Sequence, residues 1–190
     1  VVGSNASKSL SPTIFNHWFK IYKIKAEYTY IQTNKKKFNK KINETLSKKE
    51  TQGLNITIPF KEDAYKIIKK LDKHSKKINA VNCIYKKNQK IFGTNTDWSG
   101  YADSLKNVKI NKNKKIIILG YGGASKAICH YFSLDKKNQI VVFNRTKKLV
   151  KSQNKYTEDL KKLNNHLPDA SIIVNTIPKN IIKKKHKENI

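Results

Sequence analysis

The stretch Ile116–Phe132, "IIILGYGGASKAICHYF", decides the architecture. It opens with consecutive aliphatic residues, the kind of run that a strand buried on both faces requires. Gly120, Gly122 and Gly123 then punctuate the chain, and "KAICHYFSL" follows as a helix. The sequence predicts the same order again downstream: strand "QIVVFN" (139–144), a polar helix, and strand "ASIIVNTIP" (170–178). Strands alternating with helices in this way make a doubly wound α/β sheet.

Upstream the alternation continues. "SPTIFNHWFKIYK" (11–23) reads as a helix with Ser11 as N-cap and Pro12 at the first helical position, and with Ile14, Phe15, Trp18, Phe19 and Tyr22 on one face. "EYTYIQ" (27–32) alternates as a strand. "KKFNKKINETLSKKE" (36–50) is a polar helix with Phe38, Ile42 and Leu46 at helical spacing, and "LNITIP" (54–59) is another strand. A helix "KEDAYKIIKKL" (61–71) comes next, then a hairpin over 80–97 turning near Asn88, then a helix leading away from Asp97. The reading is an α/β chain of two domains, residues 1–105 and 106–190, the second Rossmann-like and incomplete. The opening "VVGS" reads as already inside a strand, the chain has no Met, and "KNIIKKKHKENI" (179–190) reads as a basic tail, so the expectation is a C-terminally truncated fragment whose natural start is also missing.

Composition narrows the function. At 190 residues and 37% hydrophobic the chain is long enough to bury a core. No run approaches the ~18 apolar residues of a membrane span, and no signal peptide opens it, so the expected location is cytoplasmic. Cys83 and Cys129 form no close pair and no His/Cys cluster exists, which excludes a disulfide scaffold and leaves no expected metal. The formal charge is +28, and all but one of the 41 basic residues are lysine, spread along the chain. Base readout leans on the arginine fork, so scattered lysines imply solvated faces and no specific nucleic-acid partner.

The glycine turn "GYGGAS" (120–125) is either an ordinary tight βα turn or a cradle whose backbone amides, with those of the helix start, hold a dinucleotide pyrophosphate. The following strand ends in Asn144, Arg145 and Thr146, without the acidic residue that recognises a ribose 2′-hydroxyl. Arg145, the single arginine, either makes a surface ion pair or clamps a 2′-phosphate, and the second use favours NADP over NAD. "SLSP" (9–12) is accounted for by the N-cap alone, and "TNTD" (94–97) by a turn and a helix start.

Taken together, "SLSP", "NITIPFK" (55–61), "AVN" (80–82), "TNTD", "GYGGAS" and "NRT" (144–146), in this order, resemble the shikimate dehydrogenase (shikimate/quinate dehydrogenase) family over essentially the whole chain. The resemblance implies an N-terminal substrate domain, an NADP-binding domain, and reduction of 3-dehydroshikimate to shikimate in aromatic amino-acid biosynthesis, by a monomer or homodimer. It implies Lys61 and Asp97 as the catalytic pair. Ser9 and Ser11 would hold the substrate carboxylate, and Asn55, Thr57, Asn82 and Asp97 its ring hydroxyls. Gly120, Gly122, Gly123 and Ala124, with Asn144, Arg145 and Thr146, would bind NADP.

This chemistry suits the residues: hydride reaching a ketone carbon leaves charge on the oxygen, so a cationic proton donor and a carboxylate to orient it are needed. The chain departs from the family pattern at Lys8, where His is usual, at Trp98, where Gly is usual, at Leu149, with Lys147 and Lys148 as substitutes for a basic residue there, and at Lys179, Asn180 and Ile181. Two alternatives carry different consequences: a quinate/shikimate dehydrogenase using NAD, and an inactive remnant whose basic surface binds nucleic acid or another partner. The fragment alone is expected to turn over weakly or not at all.

Scattered lysines give a direct expectation: nucleic-acid binding is weak, indifferent to sequence and lost steeply with salt, because counterion release is its sole drive. Filter-binding across a salt series checks this, and sequence-selective binding at physiological salt would instead support the remnant reading.

Overall fold

The computed structural model describes residues 1–108, 114–150 and 155–177. The basic tail and the departures at Lys179–Ile181 lie outside the described residues. Contacts divide the chain into two compact units, Val1–Thr96 and Asp97–Ile190.

The first unit runs β1 (Val2–Gly3), α1 (Ser11–Ile21), β2 (Ile31–Gln32), α2 (Phe38–Ser47), β3 (Gly53–Asn55), α3 (Lys61–Ile67), β4 (Lys70–Leu71), α4 (Lys73–Ile78), β5 (Cys83–Lys87) and β6 (Lys90–Thr94). Strands β1 and β2 pair in parallel, and Val2 bridges in parallel to Ile56, just past β3. Strands β3, β5, β6 and β4 follow in that order, with β3–β5 and β5–β6 antiparallel and β6–β4 parallel. The predicted hairpin turns at Asn88 and Gln89, both at positive φ (48° and 59°), as a two-residue hairpin loop requires.

The core forms as the spacing predicts where a helix faces the sheet. Phe38, Ile42 and Leu46 of α2 are all buried, and the Phe38 ring stacks on Phe60 with centroids 4.6 Å apart. Each such burial contributes roughly 1.5–3 kcal/mol. The apolar face of α1 is formed as the spacing predicts but is not core: none of its residues is buried, and Trp18 and Tyr22 are 47% and 70% exposed. Of that face only Phe15 and Phe19 are half-buried, with Phe15 stacked on Tyr28 at 4.5 Å. The strand over 27–32 shrinks to β2, because the Asn16 carboxamide bonds both backbone groups of Tyr28, at 2.8 and 2.9 Å. The helix over 61–71 ends at Ile67, since Lys70 and Leu71 pair with Phe92 and Gly93 on the sheet edge.

The second unit contains α5 (Asp97–Ser104), β7 (Lys115–Leu119), α6 (Gly123–Ser133), β8 (Gln139–Phe143), β9 (Leu149–Val150), β10 (Lys155–Tyr156), a 3-10 helix (Leu160–Asn165) and β11 (Ile172–Asn175). The parallel sheet has the order β11-β7-β8, with β7 central as its apolar run requires. Ile116 and Ile118 enter one cluster with Ile128 and Phe132 of α6; Ile117 and Leu119 enter a second with Phe143 and Leu163. Helix α5, grouped by sequence with the first domain, packs on α6 through Tyr101, whose ring meets Tyr131 and Phe132 edge-on. The polar helix expected between β8 and β11 is reduced, among the described residues, to the 3-10 helix Leu160–Asn165. Ahead of it β9 and β10 pair antiparallel, Tyr156 opposite Leu149, and the chain returns to β8 through the Phe143–Glu158 bridge. No described helix is long and apolar enough to cross a membrane.

Asp72 fixes the corner between β4 and α4. Its carboxylate accepts the Ser75 N–H at 2.6 Å as N-cap and the Thr94 hydroxyl at 2.5 Å. Burial works against the charge, but the bonds from Ser75 and Thr94, with His74 nearby, outweigh it and hold the carboxyl below its ordinary 3.8. A depressed folded-state value stabilises above the unfolded pKa and loses that contribution as pH falls through the folded one. Asp72→Ala therefore costs about 1 kcal/mol near neutrality, and the gap from the parent chain narrows as pH drops below the usual carboxylate range. Urea midpoints across that range test it.

Candidate active site

The first unit gathers its polar residues where β1 and β3 end. Gly3 lets the two segments approach, since a Cβ there would stand 2.5 Å from Thr57 Cγ2. Thr57 N–H donates to Val2 O at 2.9 Å, and Ser4 N–H to Ile58 O at 3.2 Å. The loop after β1 thus lies against the loop after β3, where strand order reverses and α/β sheets place ligands. Within the first loop, the Ser9 hydroxyl donates to Ser11 Oγ at 3.1 Å and accepts the Ser11 N–H at 3.2 Å. This corrects the expected cap: Ser11 is already inside α1, and the oxygen serving its amide comes from Ser9.

Lys61 is the first residue of α3 and half-buried, behind the fully packed Phe60. Its carbonyl accepts the Val81 N–H at 2.9 Å, which brings the start of α3 beside Asn82. Asn82 is 9% exposed and held on every side. Its Nδ2 donates to Thr96 Oγ1 at 2.9 Å, and its Oδ1 accepts the Thr96 N–H at 2.9 Å. Its backbone carbonyl accepts from Ile56 N–H at 2.7 Å and from Asn55 Nδ2 at 3.4 Å. Asn95, fully buried, donates Nδ2 to Ala80 O at 3.0 Å, a second stitch between "AVN" and "TNTD". Asp97, the next residue after Thr96, begins α5 in the second unit.

Tyr28 joins this network without having been singled out in the sequence. Its hydroxyl donates to Asn55 Oδ1 at 2.6 Å, and burial, with a smaller contribution from Cys83, pushes its pKa up to about 12. Strand alternation puts Tyr28 and Tyr30 on one face, and Tyr30 is 53% exposed, so spacing alone does not separate the two.

In the second unit the glycine turn departs from β7 as the motif requires. Gly120 has φ +94°, and a Cβ there would lie 2.7 Å from Thr176 Oγ1. Ser125 Oγ donates to Gly120 O at 2.6 Å, closing the turn from inside α6. Gly122 is the extended N-cap of α6 with no side-chain cap, no atom lies within 4 Å of where its Cβ would stand, and Gly123 and Ala124 form the helix's first turn. Helix-start amides with no side-chain cap, beside open space at Gly122, fit a pyrophosphate. Gly120 N–H donates to Phe143 O at 2.7 Å, tying this turn to the end of β8. There Asn144 Nδ2 donates to Thr146 O at 2.7 Å and shapes the exposed "NRT" turn. Asn144 and Arg145 line a cavity of about 680 Å³ with Lys147, Tyr156, Lys162 and His166; the glycine turn does not line it.

The profile described as shikimate dehydrogenase substrate binding domain matches residues 1–84, and that described as shikimate / quinate 5-dehydrogenase matches 103–190. The shikimate dehydrogenase (NADP(+)) of Staphylococcus epidermidis strain RP62A is 32% identical over 184 residues, covering 94% of this chain and 67% of the relative. The chain belongs to the shikimate dehydrogenase family. Among solved structures, shikimate dehydrogenase 1 from Peptoclostridium difficile superposes with TM-score 0.80 at 31% identity, covering 94% of this chain and 65% of that one. Shikimate 5-dehydrogenase from Listeria monocytogenes, solved with shikimate and NAD, gives 0.77 at 25%, covering 93% and 66%. The chain spans 48–67% of the length of the first four curated relatives it matches.

Gly120 offers a direct check on the family turn. Gly120→Ala combines a disfavoured φ with a contact to Thr176 and should destabilise the second unit by more than ~1 kcal/mol. Unfolding followed through Trp98 in a Trp18→Phe background is expected to shift to lower urea; an unchanged midpoint would mean the turn relaxes freely.

Proposed function

We propose that the protein of which this chain is part reduces 3-dehydroshikimate to shikimate with NADPH, in aromatic amino-acid biosynthesis. The observation that carries the reading is the convergence of Asn55, Asn82 and the start of α3 at Lys61, held by the bonds to Ile56, Val81 and Thr96. A ring bearing several hydroxyls needs fixed donors and acceptors, and carboxamides already locked by the backbone provide them without reordering on binding.

In this reading Ser9 and Ser11, at the mouth of α1, take the substrate carboxylate. Asn55, Thr57 and Asn82 take ring hydroxyls, and Tyr28 holds the Asn55 carboxamide in one orientation through the 2.6 Å bond. The bound cofactor supplies the hydride. Lys61 protonates the carbonyl oxygen as charge grows there and takes the proton back in the reverse direction; Asp97 orients its ammonium and takes part in hydroxyl recognition. Gly120, Gly122, Gly123 and Ala124 form the turn that receives the pyrophosphate on the amides of the helix start, Gly120 donating its own N–H to Phe143 and shaping the turn, while Asn144, Arg145 and Thr146 receive the 2′-phosphate. Arg145, the chain's one planar cationic fork, favours NADP over the NAD alternative, because a guanidinium grips a phosphate bidentately.

In a full-length version, Lys61→Ala should cut shikimate-dependent NADP reduction by roughly 10²-fold or more while the dissociation constant for NADP stays within about twofold. Steady-state rates and titration calorimetry on the same preparations read the two quantities. A variant keeping most of its turnover would remove Lys61 from the acid–base role.

A further inference from the structure

Resting on the NADP reading, we propose that Lys147 is the second cation for the 2′-phosphate and that Tyr156 positions it. The antiparallel β9–β10 pair precedes the 3-10 helix and is built against the "NRT" turn. Thr157, 6% exposed, donates its N–H to Lys148 O at 2.8 Å. Its Oγ1 accepts the Lys148 N–H at 3.0 Å and donates to Thr146 O at 3.3 Å. Asn144 N–H donates to Glu158 O at 2.9 Å on the same return segment. The turn that carries Arg145 is therefore clamped from its far side by the residue that follows Tyr156.

That clamp sets Tyr156 under Lys147. The ammonium of Lys147 lies over the Tyr156 ring at 4.7 Å from its centroid, and both residues line the cavity that Arg145 lines. A lysine alone spreads over many rotamers, so the attraction of the ring face narrows where this charge sits. Lys148, its neighbour, does not line the cavity. Lys162 does, but its ammonium is 3.6 Å from the Glu158 carboxylate, so its charge is already answered. Leu149 pairs opposite Tyr156 and contributes the hairpin's register, not a charge. Among the described cations around "NRT", Lys147 is thus the one placed with Arg145.

The test is equilibrium binding of 2′,5′-ADP and 5′-AMP to the 190-residue chain by calorimetry, which needs no turnover. Lys147→Met should weaken 2′,5′-ADP about tenfold and leave 5′-AMP unchanged; Lys162→Met should leave both unchanged. Tyr156→Leu should reproduce part of the loss, Tyr156→Phe should restore it, and Lys147→Met with Tyr156→Leu should be no worse than Lys147→Met alone, because the ring acts through the lysine. Arg145→Leu should weaken 2′,5′-ADP selectively as well. A parent chain that prefers 2′,5′-ADP and keeps that preference in Lys147→Met overturns the proposal and spares the NADP reading. A parent chain with no preference overturns both. Equal losses for the two ligands in Lys147→Met would assign the lysine to the shared part of the nucleotide and also overturn it.

Discussion

The Asn82 carboxamide, paired twice with Thr96, is the constraint on which the first unit's site depends. Its two bonds at 2.9 Å close a ring between the end of the "AVN" segment and the "TNT" segment. Meanwhile the Asn82 backbone receives Ile56 and the Asn55 side chain. Losing one of these bonds removes part of what holds the two segments together, about 0.5–1.5 kcal/mol. Positions that differ by a register shift are therefore disfavoured, and the ends of β3, β5 and β6 share one geometry. Lys61 inherits that geometry through its carbonyl bond to Val81, so its place does not depend on its own flexible side chain.

The elements legible in the sequence are those that local chemistry decides. The run of β7 is apolar on both faces, and its residues divide between two cores as a central strand's must. The stripe of α2 is buried, and the hairpin turns where two residues accept positive φ. What escaped is set by tertiary competition. Ser11 is not the cap because Leu10 already stands at the N-cap position, and Ser9 serves the Ser11 amide. The β2 strand is short because Asn16 bonds both backbone groups of Tyr28. Lys70 and Leu71 continue a helical pattern, yet the unpaired edge of β6 offers them ladder bonds that a solvent-facing helix end does not. The apolar face of α1 carries a helical period correctly, but period states only that residues share a face, not that the face is covered.

The segment after β8 fails for a different reason. "TKKLVKSQNKYTEDLKK" is polar and lysine-rich enough for an exposed helix, and composition does not separate that from a hairpin. The distinction lies in Thr157 and Asn144, whose side chains complete backbone bonds in the "NRT" turn. Such short polar side chains compete with helical hydrogen bonding, and here they win at the "NRT" turn. The same residue type solves the same problem in both units: Asn82 in the first and Asn144 in the second each substitute for a strand neighbour where the ladder stops.

Charge is the property in which this chain most departs from the ordinary, and it makes geometry the only useful discriminator among cations. Most of the described ion pairs are exposed contacts such as Lys40–Glu44 and Lys66–Asp63, at 3.9 Å each. These contribute little to stability. With lysine at nearly every basic position, proximity of a lysine to a candidate site carries little information. What carries information is a cation whose position something else determines. Lys61 is placed by a buried Phe60 and a backbone bond to Val81, Arg145 by the Asn144 turn, and Lys147 by an aromatic face that Thr157 anchors. Each of these three is tied to a defined element by another group. A charge whose place is narrowed loses less entropy when it meets an anion or a developing alkoxide than one that must first be ordered, which is why the proposed roles in binding and proton transfer fall to these cations.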